Sequence, residues 1–342
     1  MYANENDYWR DFAEDARRLG SPLYQQLALA IDGDDRIKAL ASRRRKGQPS
    51  ANLLLGAVHF LLLKGADHPL RDFYATLGGG NRDEAIFLLF RDFVIRHESQ
   101  LLRLIERNVT NTNEVGRSAI LRPGFAALAQ EEAAPLHLIE IGPSAGLNLI
   151  WDRYGLRYER EGMLLREVSG GLTLTCELRG ENSPPIAPLP RIAGRIGLER
   201  DPVDLKDADQ RDWLRALVWP DQPQRLARLD AAIALYLKDP MPIRHGDALD
   251  LLAETLATVP PEEAVCVYHT ITVYQFSAAM REALTALLVT AGLRRPVWHL
   301  AFEFDGGRDY EVRLTHHRDG GSRSRKLGLA QPHGAWLEWL EG

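Results

Sequence analysis

The chain has 342 residues, 45% of them apolar and 26% charged, with a formal net charge of -5 at pH 7. That length allows one large domain or two ordinary ones, and the composition excludes an extended disordered polymer. The acidic balance argues against general attraction to nucleic acid or to an anionic membrane, so neither partner is expected.

In chain order, "MYANENDYWRDFAEDARR" is polar and amphipathic and lacks the apolar core of a secretory signal. The longest apolar run, "ANLLLGAVHFLLLKG", falls short of a bilayer span of about 20 residues and carries His59. A cytoplasmic location is therefore the expectation. Residues 1–130 read as an all-helical region. "ANLLLGAVHFLLLKG" is apolar nearly all round and is its expected buried centre, with Pro49-Ser50 as start signal and Gly65 as stop. "DEAIFLLFRDFVIRHESQLLRLIERN" reads as one helix, because Phe87, Phe90, Phe93, Val94, His97, Leu101, Leu104 and Ile105 recur at three- and four-residue spacing.

After Pro135 short apolar runs alternate with amphipathic helices, the pattern of a doubly wound, mostly parallel sheet in an α/β domain over residues 131–342. The five candidate strands are "LHLIEIG", "GRIGLE", "PIRHGD", "AVCVYHT" and "PVWHLAFEF". "YEVRLTHHRDGGSRSRKLGLA" adds two antiparallel strands around a Gly-Gly turn, for a sheet of seven. An insertion at about 156–193 contains "MLLREVSGGLTLTCELRG", which alternates in period two and reads as a hairpin about Ser169-Gly170-Gly171, followed by the proline-rich "SPPIAPLPR". Cys176 and Cys266 sit singly in apolar runs and read as buried free thiols. His316 and His317 are neighbours on a strand and point to opposite faces, so no metal site is expected.

Ligands of a doubly wound sheet bind beyond the carboxyl ends of the strands. "EIGPSAGLNL" follows the first strand, and a dinucleotide fingerprint fails there because Ser144 and Leu147 stand where its second and third glycines belong. No Gly-Lys-Ser or Gly-Lys-Thr phosphate loop occurs either. What remains is Glu140 at a strand end and a tight turn through Gly142, Pro143, Ser144 and Gly146 that lets a ligand approach the backbone. Glu199 ends the second strand in "GLERDP", Asp247 ends the third in "RHGDAL", and Tyr268, His269 and Thr270 end the fourth.

These strand ends resemble the motifs of class I S-adenosylmethionine-dependent methyltransferases. The resemblance implies that the turn from Glu140 to Gly146, with Asn148, lies beneath the methionine portion of the cofactor. It implies that Glu199 bonds the ribose hydroxyls, with Asp201 competing for that role, that Asp247, followed by Ala248, accepts from the adenine amino group, and that Tyr268, also a cofactor-binding candidate, stands with His269 and Thr270 among the substrate-facing groups. Pro143 and Ser144 depart from the usual middle of the turn. His269 is the candidate base and Glu303, in "HLAFEF", a second candidate catalytic group. "TNTNEVGR" supplies Asn113, Glu114 and Arg117 as candidate lid residues, with Thr270 facing substrate. The helical region and the inserted hairpin would then choose a small-molecule methyl acceptor, with S-adenosylhomocysteine as the other product. The structural alternatives are helix caps at Glu199 and Asp247, a ligand-free packing turn, and a non-catalytic binding or interaction protein on the same fold. Across "NVTNTNEVGRSAILRPGF", "EIGPSAGLNLIWDRYG", "GLERDPVDL", "WHLAFEF" and "HGAWLEW" the chain also resembles a bacterial family known by a domain-of-unknown-function label, number 2332, which implies the same sheet with a helical N-terminal region.

Overall fold

The computed structural model describes residues 8–81, 85–304, 306 and 310–341. The first seven residues of the amphipathic opening segment, and the start of "DEAIFLLF", lie outside the described residues. Two compact units make up the chain, Met1–Thr112 with Val203–Asp230, and Asn113–Pro202 with Ala231–Gly342. The α-helices, in chain order, are α1 (Tyr8–Arg18), α2 (Pro22–Asp32), α3 (Asp35–Ala41), α4 (Ser50–Leu63), α5 (Ile86–Arg96), α6 (Glu98–Arg107), α7 (Ser118–Ala129), α8 (Ala208–Ala216), α9 (Pro223–Tyr236), α10 (Ala248–Thr258) and α11 (Ala278–Gly292). No helix among the described residues is long and apolar enough to cross a membrane.

The first unit is helical in its described part. α4 is its buried centre, with Leu53, Leu54, Leu55, Ala57 and Val58 fully shielded from water. The polar residue in this run, His59, is satisfied on both sides: Nδ1 meets the Ala216 carbonyl at 3.0 Å and Nε2 meets Thr76 Oγ1 at 2.8 Å. Burial pushes its pKa down to about 4, so it stays neutral and is tolerated in the core. The expected single helix around residues 86–107 is two, α5 and α6, separated at His97, whose φ of -107° and ψ of 15° leave the helical region. The apolar stripe continues across the break, with Phe90, Phe93, Val94, Leu101 and Ile105 all buried, so periodicity alone did not mark it.

The second unit carries a mixed sheet of strands β1 (Leu136–Ile141), β2 (Gly155–Arg160), β3 (Met163–Val168), β4 (Thr173–Arg179), β5 (Ile192–Glu199), β6 (Ile243–His245), β7 (Ala264–Thr270), β8 (Val297–Phe304), β9 (Tyr310–Arg318), β10 (Gly321–Ala330) and β11 (Trp336–Trp339). Their spatial order is β3-β2-β4-β11-β10-β9-β8-β7-β1-β5-β6. All five strands of the block β6-β5-β1-β7-β8 are parallel, and their sequence places them in the order third, second, first, fourth, fifth, as in doubly wound sheets. Helices cover both faces of this block. Ile139, Ile141, Leu198, Val265 and Val267 pack with Leu252 of α10 and with Leu284 and Leu288 of α11. On the other face Gly124 of α7 lies so close to Leu300 that an added Cβ would sit 2.7 Å from its Cδ1.

The sheet is thus larger than the seven strands expected, and the insertion is built differently. β9 and β10 pair antiparallel as the sequence implies, but the turn is Asp319-Gly320, both at positive φ (52° and 77°), and not the Gly-Gly pair, because Gly321 already pairs with Arg318. The inserted strands β3 and β4 do not pair with each other. Instead β2 lies between them, antiparallel to β3 and parallel to β4, and β4 joins the main sheet beside β11. The tight turn is at Glu161-Gly162, where both residues have positive φ (51° and 79°), as a two-residue hairpin requires. The glycines read as a hairpin turn serve close packing instead: a Cβ on Gly170 would fall 2.1 Å from the Gly155 nitrogen, and one on Gly171 would fall 3.0 Å from Leu235 Cδ1. Turn propensity and close approach select the same residue.

Candidate functional site

The segment after β1 is held in an unusual conformation from two sides. Gly142, Ser144 and Gly146 all have positive φ (69°, 57° and 83°), a region costly for a residue with a Cβ such as serine. The Glu199 carboxylate at the end of β5 fixes it: Oε2 accepts from the Ser144 N–H at 2.8 Å and Oε1 from the Asp201 N–H at 3.1 Å. On the opposite side Asn113 Oδ1 accepts from the Leu147 N–H at 2.9 Å. Asn148 bridges further, its Oδ1 accepting from Ser118 Oγ at 2.8 Å and its Nδ2 donating to the Glu114 carbonyl at 3.3 Å. The chain then runs into a 3-10 stretch, Leu147–Arg153, interrupted at Ile150, rather than into a regular helix. The aligned helix N-terminus that a pyrophosphate uses is therefore missing here.

Glu140 is 1% exposed. It lies opposite Tyr268 in the β1–β7 register, and the Tyr268 hydroxyl approaches Glu140 Oε2 at 3.1 Å and the Asn148 carbonyl at 3.3 Å. Burial, opposed by the Tyr268 hydrogen bond and reinforced by the nearby Glu199 charge, pushes the Glu140 pKa up to about 8. At neutral pH the side chain is mainly a carboxylic acid. The Tyr268 hydroxyl donates to the carboxylate when Glu140 ionises, which is why this bond favours the charged form, and can donate to the Asn148 carbonyl when Glu140 is protonated. Phe125 closes the site, edge-on to Tyr268 at 5.3 Å and stacked on Trp151 at 4.3 Å.

Asp247 is the N-cap of α10, accepting from the Leu249 N–H at 2.9 Å, so Ala248 is the first helical residue. Its Oδ2 is 3.6 Å from Arg200 Nη2, and the side chain is 40% exposed. β5 and β6 are adjacent and Glu199 is in register with His245, which brings Glu140, the turn, Glu199 and Asp247 to the carboxyl ends of three neighbouring strands.

The ends of β7 and β8 hold a second cluster. Period two puts His269, His299 and Glu303 on the sheet face away from Glu140 and Tyr268. Glu303 Oε1 accepts from His269 Nδ1 at 2.6 Å, from the Thr272 N–H at 2.7 Å and from the Val273 N–H at 2.9 Å, and Oε2 accepts from the Tyr274 N–H at 3.2 Å. Burial alone would raise the Glu303 pKa, but His269 and these backbone donors hold it below the ordinary value. The anchored segment includes Ile271, a β-branched residue at a φ of 53°, a strained conformation that Glu303 helps to impose. His269 is 2% exposed and both its ring nitrogens are engaged, since Nε2 meets His299 Nε2 at 2.8 Å. Burial, with His269 and His317 nearby, drives the His299 pKa well below its usual value, so His299 is a neutral partner. Thr272 in turn fills the space above the turn: a Cβ on Gly142 would lie 2.4 Å from Thr272 Cγ2.

Arg117 ties the segment before α7 to these strand ends, donating from Nη1 to the Thr270 carbonyl at 2.8 Å and from Nε to the Pro332 carbonyl at 3.0 Å. Glu114 Oε1 accepts from the Gly116 N–H at 3.1 Å. The residues singled out in the sequence therefore form two groups, the β1-β5-β6 ends and the β7-β8 ends, with Arg117 reaching the second. Thr272, His299 and Tyr274 were missed. His299 shares its strand and face with Glu303, so period two could have found it.

The profile of a family described as "Uncharacterized protein conserved in bacteria (DUF2332)" matches residues 6–339, and the chain belongs to that family. No curated protein matches the chain.

Proposed function

For this member of the family we propose a methyltransferase that uses S-adenosylmethionine and acts on a small-molecule acceptor. The observation that carries the reading is the meeting of the Glu140–Gly146 turn, Glu199 and Asp247 at the carboxyl ends of β1, β5 and β6 on a sheet of third-second-first-fourth-fifth order, where doubly wound sheets bind ligands. The donor set fits the cofactor. Each Glu199 oxygen already accepts one backbone N–H, and a carboxylate has about four acceptor sites, which leaves an acceptor site on each oxygen for a ribose hydroxyl. Asp247 Oδ1 accepts from the Leu249 N–H, and Oδ2, which faces the exposed Arg200 guanidinium at 3.6 Å, keeps an acceptor site for an adenine amino group. The turn has no pyrophosphate-binding helix behind it, which fits a ligand with a ribose and no phosphate. When bound, the cofactor supplies an electrophilic methyl group.

The protein's own part is positioning. Glu199 and Asn113 hold the turn, and the missing side chain of Gly142 is what lets Thr272 pack on it. Glu140 supplies a neutral acid that gives up its proton if a ligand ammonium comes beside it. His269 and Glu303 act together as the anchor of the strained segment at Ile271, with Thr270 and Arg117 on the substrate side. An acceptor that is already a good nucleophile needs no base from the protein.

The engagement of both His269 nitrogens favours one second reading, a protein that binds S-adenosylmethionine or S-adenosylhomocysteine without transferring a methyl group. Calorimetry with both ligands and with NAD on folded, ligand-free protein separates the readings. Binding of the first two, weakened in Glu199→Gln and Asp247→Ala, supports the methyltransferase or sensor pocket. Binding of NAD alone, or of none, refutes it, and turnover with an acceptor pool distinguishes enzyme from sensor.

A further inference from the structure

The geometry points to Arg117 as the recognition group of a carboxylate site at the carboxyl ends of β7 and β8, one that takes a small monoanion with an apolar or aromatic body. Arg117 is clamped by two neutral acceptors, the Thr270 and Pro332 carbonyls at 2.8 and 3.0 Å. The Pro332 side of the clamp is rigid, because Gly334, at a φ of 75°, packs so tightly on the turn before α7 that a Cβ there would fall 2.1 Å from the Gly116 carbonyl oxygen. Among the described residues no carboxylate comes within ion-pair distance of Arg117, and Nη2 makes no hydrogen bond. Removal from water pushes its pKa below the ordinary arginine value, opposed by the fields of Glu114 and Glu303. A guanidinium fixed by carbonyls, with no carboxylate at contact range among the described residues, is suited to receive a planar anion.

Two further features select the anion. Glu114 and Glu303 are close enough to act on Arg117 electrostatically, so a second negative charge on the ligand would be repelled, which favours a carboxylate over a phosphate dianion. Beside the anchored segment, Tyr274 is 44% and Phe304 41% exposed, and the Phe304 ring lies 5.5 Å from that of Tyr310. Exposed aromatic surface next to a cation suits an apolar body joined to a carboxylate.

The inference rests on the proposed function only in using the same carboxyl edge of the sheet, at β7 and β8 instead of β1, β5 and β6, and its test does not need S-adenosylmethionine. Sodium benzoate is titrated into the full chain, with inorganic phosphate at matched ionic strength as the comparison, and binding is read from thermal shift and ligand-observed NMR. Benzoate is expected to stabilise the protein saturably and more strongly than phosphate. Arg117→Gln is expected to weaken benzoate about tenfold or more, as loss of a charge-assisted hydrogen bond implies, and Arg117→Lys to retain part of the affinity. Tyr274→Ala, a change at an exposed residue, is expected to weaken benzoate as well, and carries the test if Arg117→Gln does not fold.

No saturable benzoate binding to wild type, unchanged binding in folded Arg117→Gln, or phosphate binding as tightly as benzoate would each overturn the proposal. The source of the carboxylate is read from two more ligands. If S-adenosylhomocysteine loses its advantage over 5′-methylthioadenosine in Arg117→Gln, the site serves the cofactor's own carboxylate. If benzoate still binds to protein saturated with S-adenosylhomocysteine, it serves the acceptor. Benzoate binding through Arg117 with no binding of S-adenosylhomocysteine would sink the methyltransferase reading and leave the carboxylate site standing.

Discussion

Replacing Glu140 by Gln should change how the stability of this protein depends on pH. The carboxyl is raised in the folded chain from its ordinary 4.5 to about 8, so folding favours the protonated form. Its stabilising contribution is complete below the unfolded value of 4.5 and is lost as pH rises through about 8. Between those limits the folded state holds one more proton than the unfolded chain, a slope of about -1.4 kcal/mol per pH unit. Over the whole interval the loss has a ceiling of roughly 5 kcal/mol, lowered by any local opening that lets water reach the carboxylate. Glutamine keeps a donor and an acceptor for the Tyr268 hydroxyl, which itself reaches the Asn148 carbonyl, and cannot ionise. Urea unfolding of wild type and Glu140→Gln from pH 5 to pH 9, followed by circular dichroism, cancels the titration of all other groups in the difference. The variant should match wild type within about 1 kcal/mol at pH 5 and be more stable by several kcal/mol at pH 9. Parallel stability curves would show that Glu140 ionises normally and that its burial beside Tyr268 has been misread.

Other perturbations follow from the same geometry. Tyr268→Phe removes the hydroxyl that favours ionised Glu140, so the pH at which stability levels off should move upward; a downward move would reverse the assigned role of that bond. Gly142→Ala brings a Cβ into Thr272 at a left-handed φ and should destabilise the protein by about 2 kcal/mol or more, measured by urea unfolding, whereas a neutral result would mean the turn is not held as described. Glu303→Gln weakens the acceptor of the Thr272, Val273 and Tyr274 amides, and hydrogen exchange at those three should accelerate about tenfold, consistent with the loss of a charged hydrogen bond. Unchanged exchange would show that Ile271 is held by other means.

Where burial on both faces sets the pattern, the sequence is easy to read: "LHLIEI" and "AVCVYHT" are mostly apolar because they are central parallel strands, and the polar Glu140, His269 and Thr270 fall at their carboxyl ends. The insertion differs from the expected hairpin because Gly170 and Gly171 suit a turn as well as the close contacts they make, with the Gly155 backbone and the Leu235 side chain, while the true turn at Glu161-Gly162 lies inside a charged stretch that gives little signal. Glu140, Glu199 and Asp247 could be placed at strand ends from their positions in the motifs. Their partners could not, since the Ser144 and Asp201 amides face Glu199 only once β1 and β5 are side by side. The pairing of His269 with His299 depends likewise on the β7–β8 register.

The most direct test of the central claim is calorimetric titration of S-adenosylhomocysteine into wild type and into Glu199→Gln. The account predicts saturable one-to-one binding to wild type and affinity reduced about tenfold or more in the variant, as expected for loss of charged hydrogen bonds to two ribose hydroxyls. Absence of binding to folded wild type, or equal affinity in the variant, would contradict it.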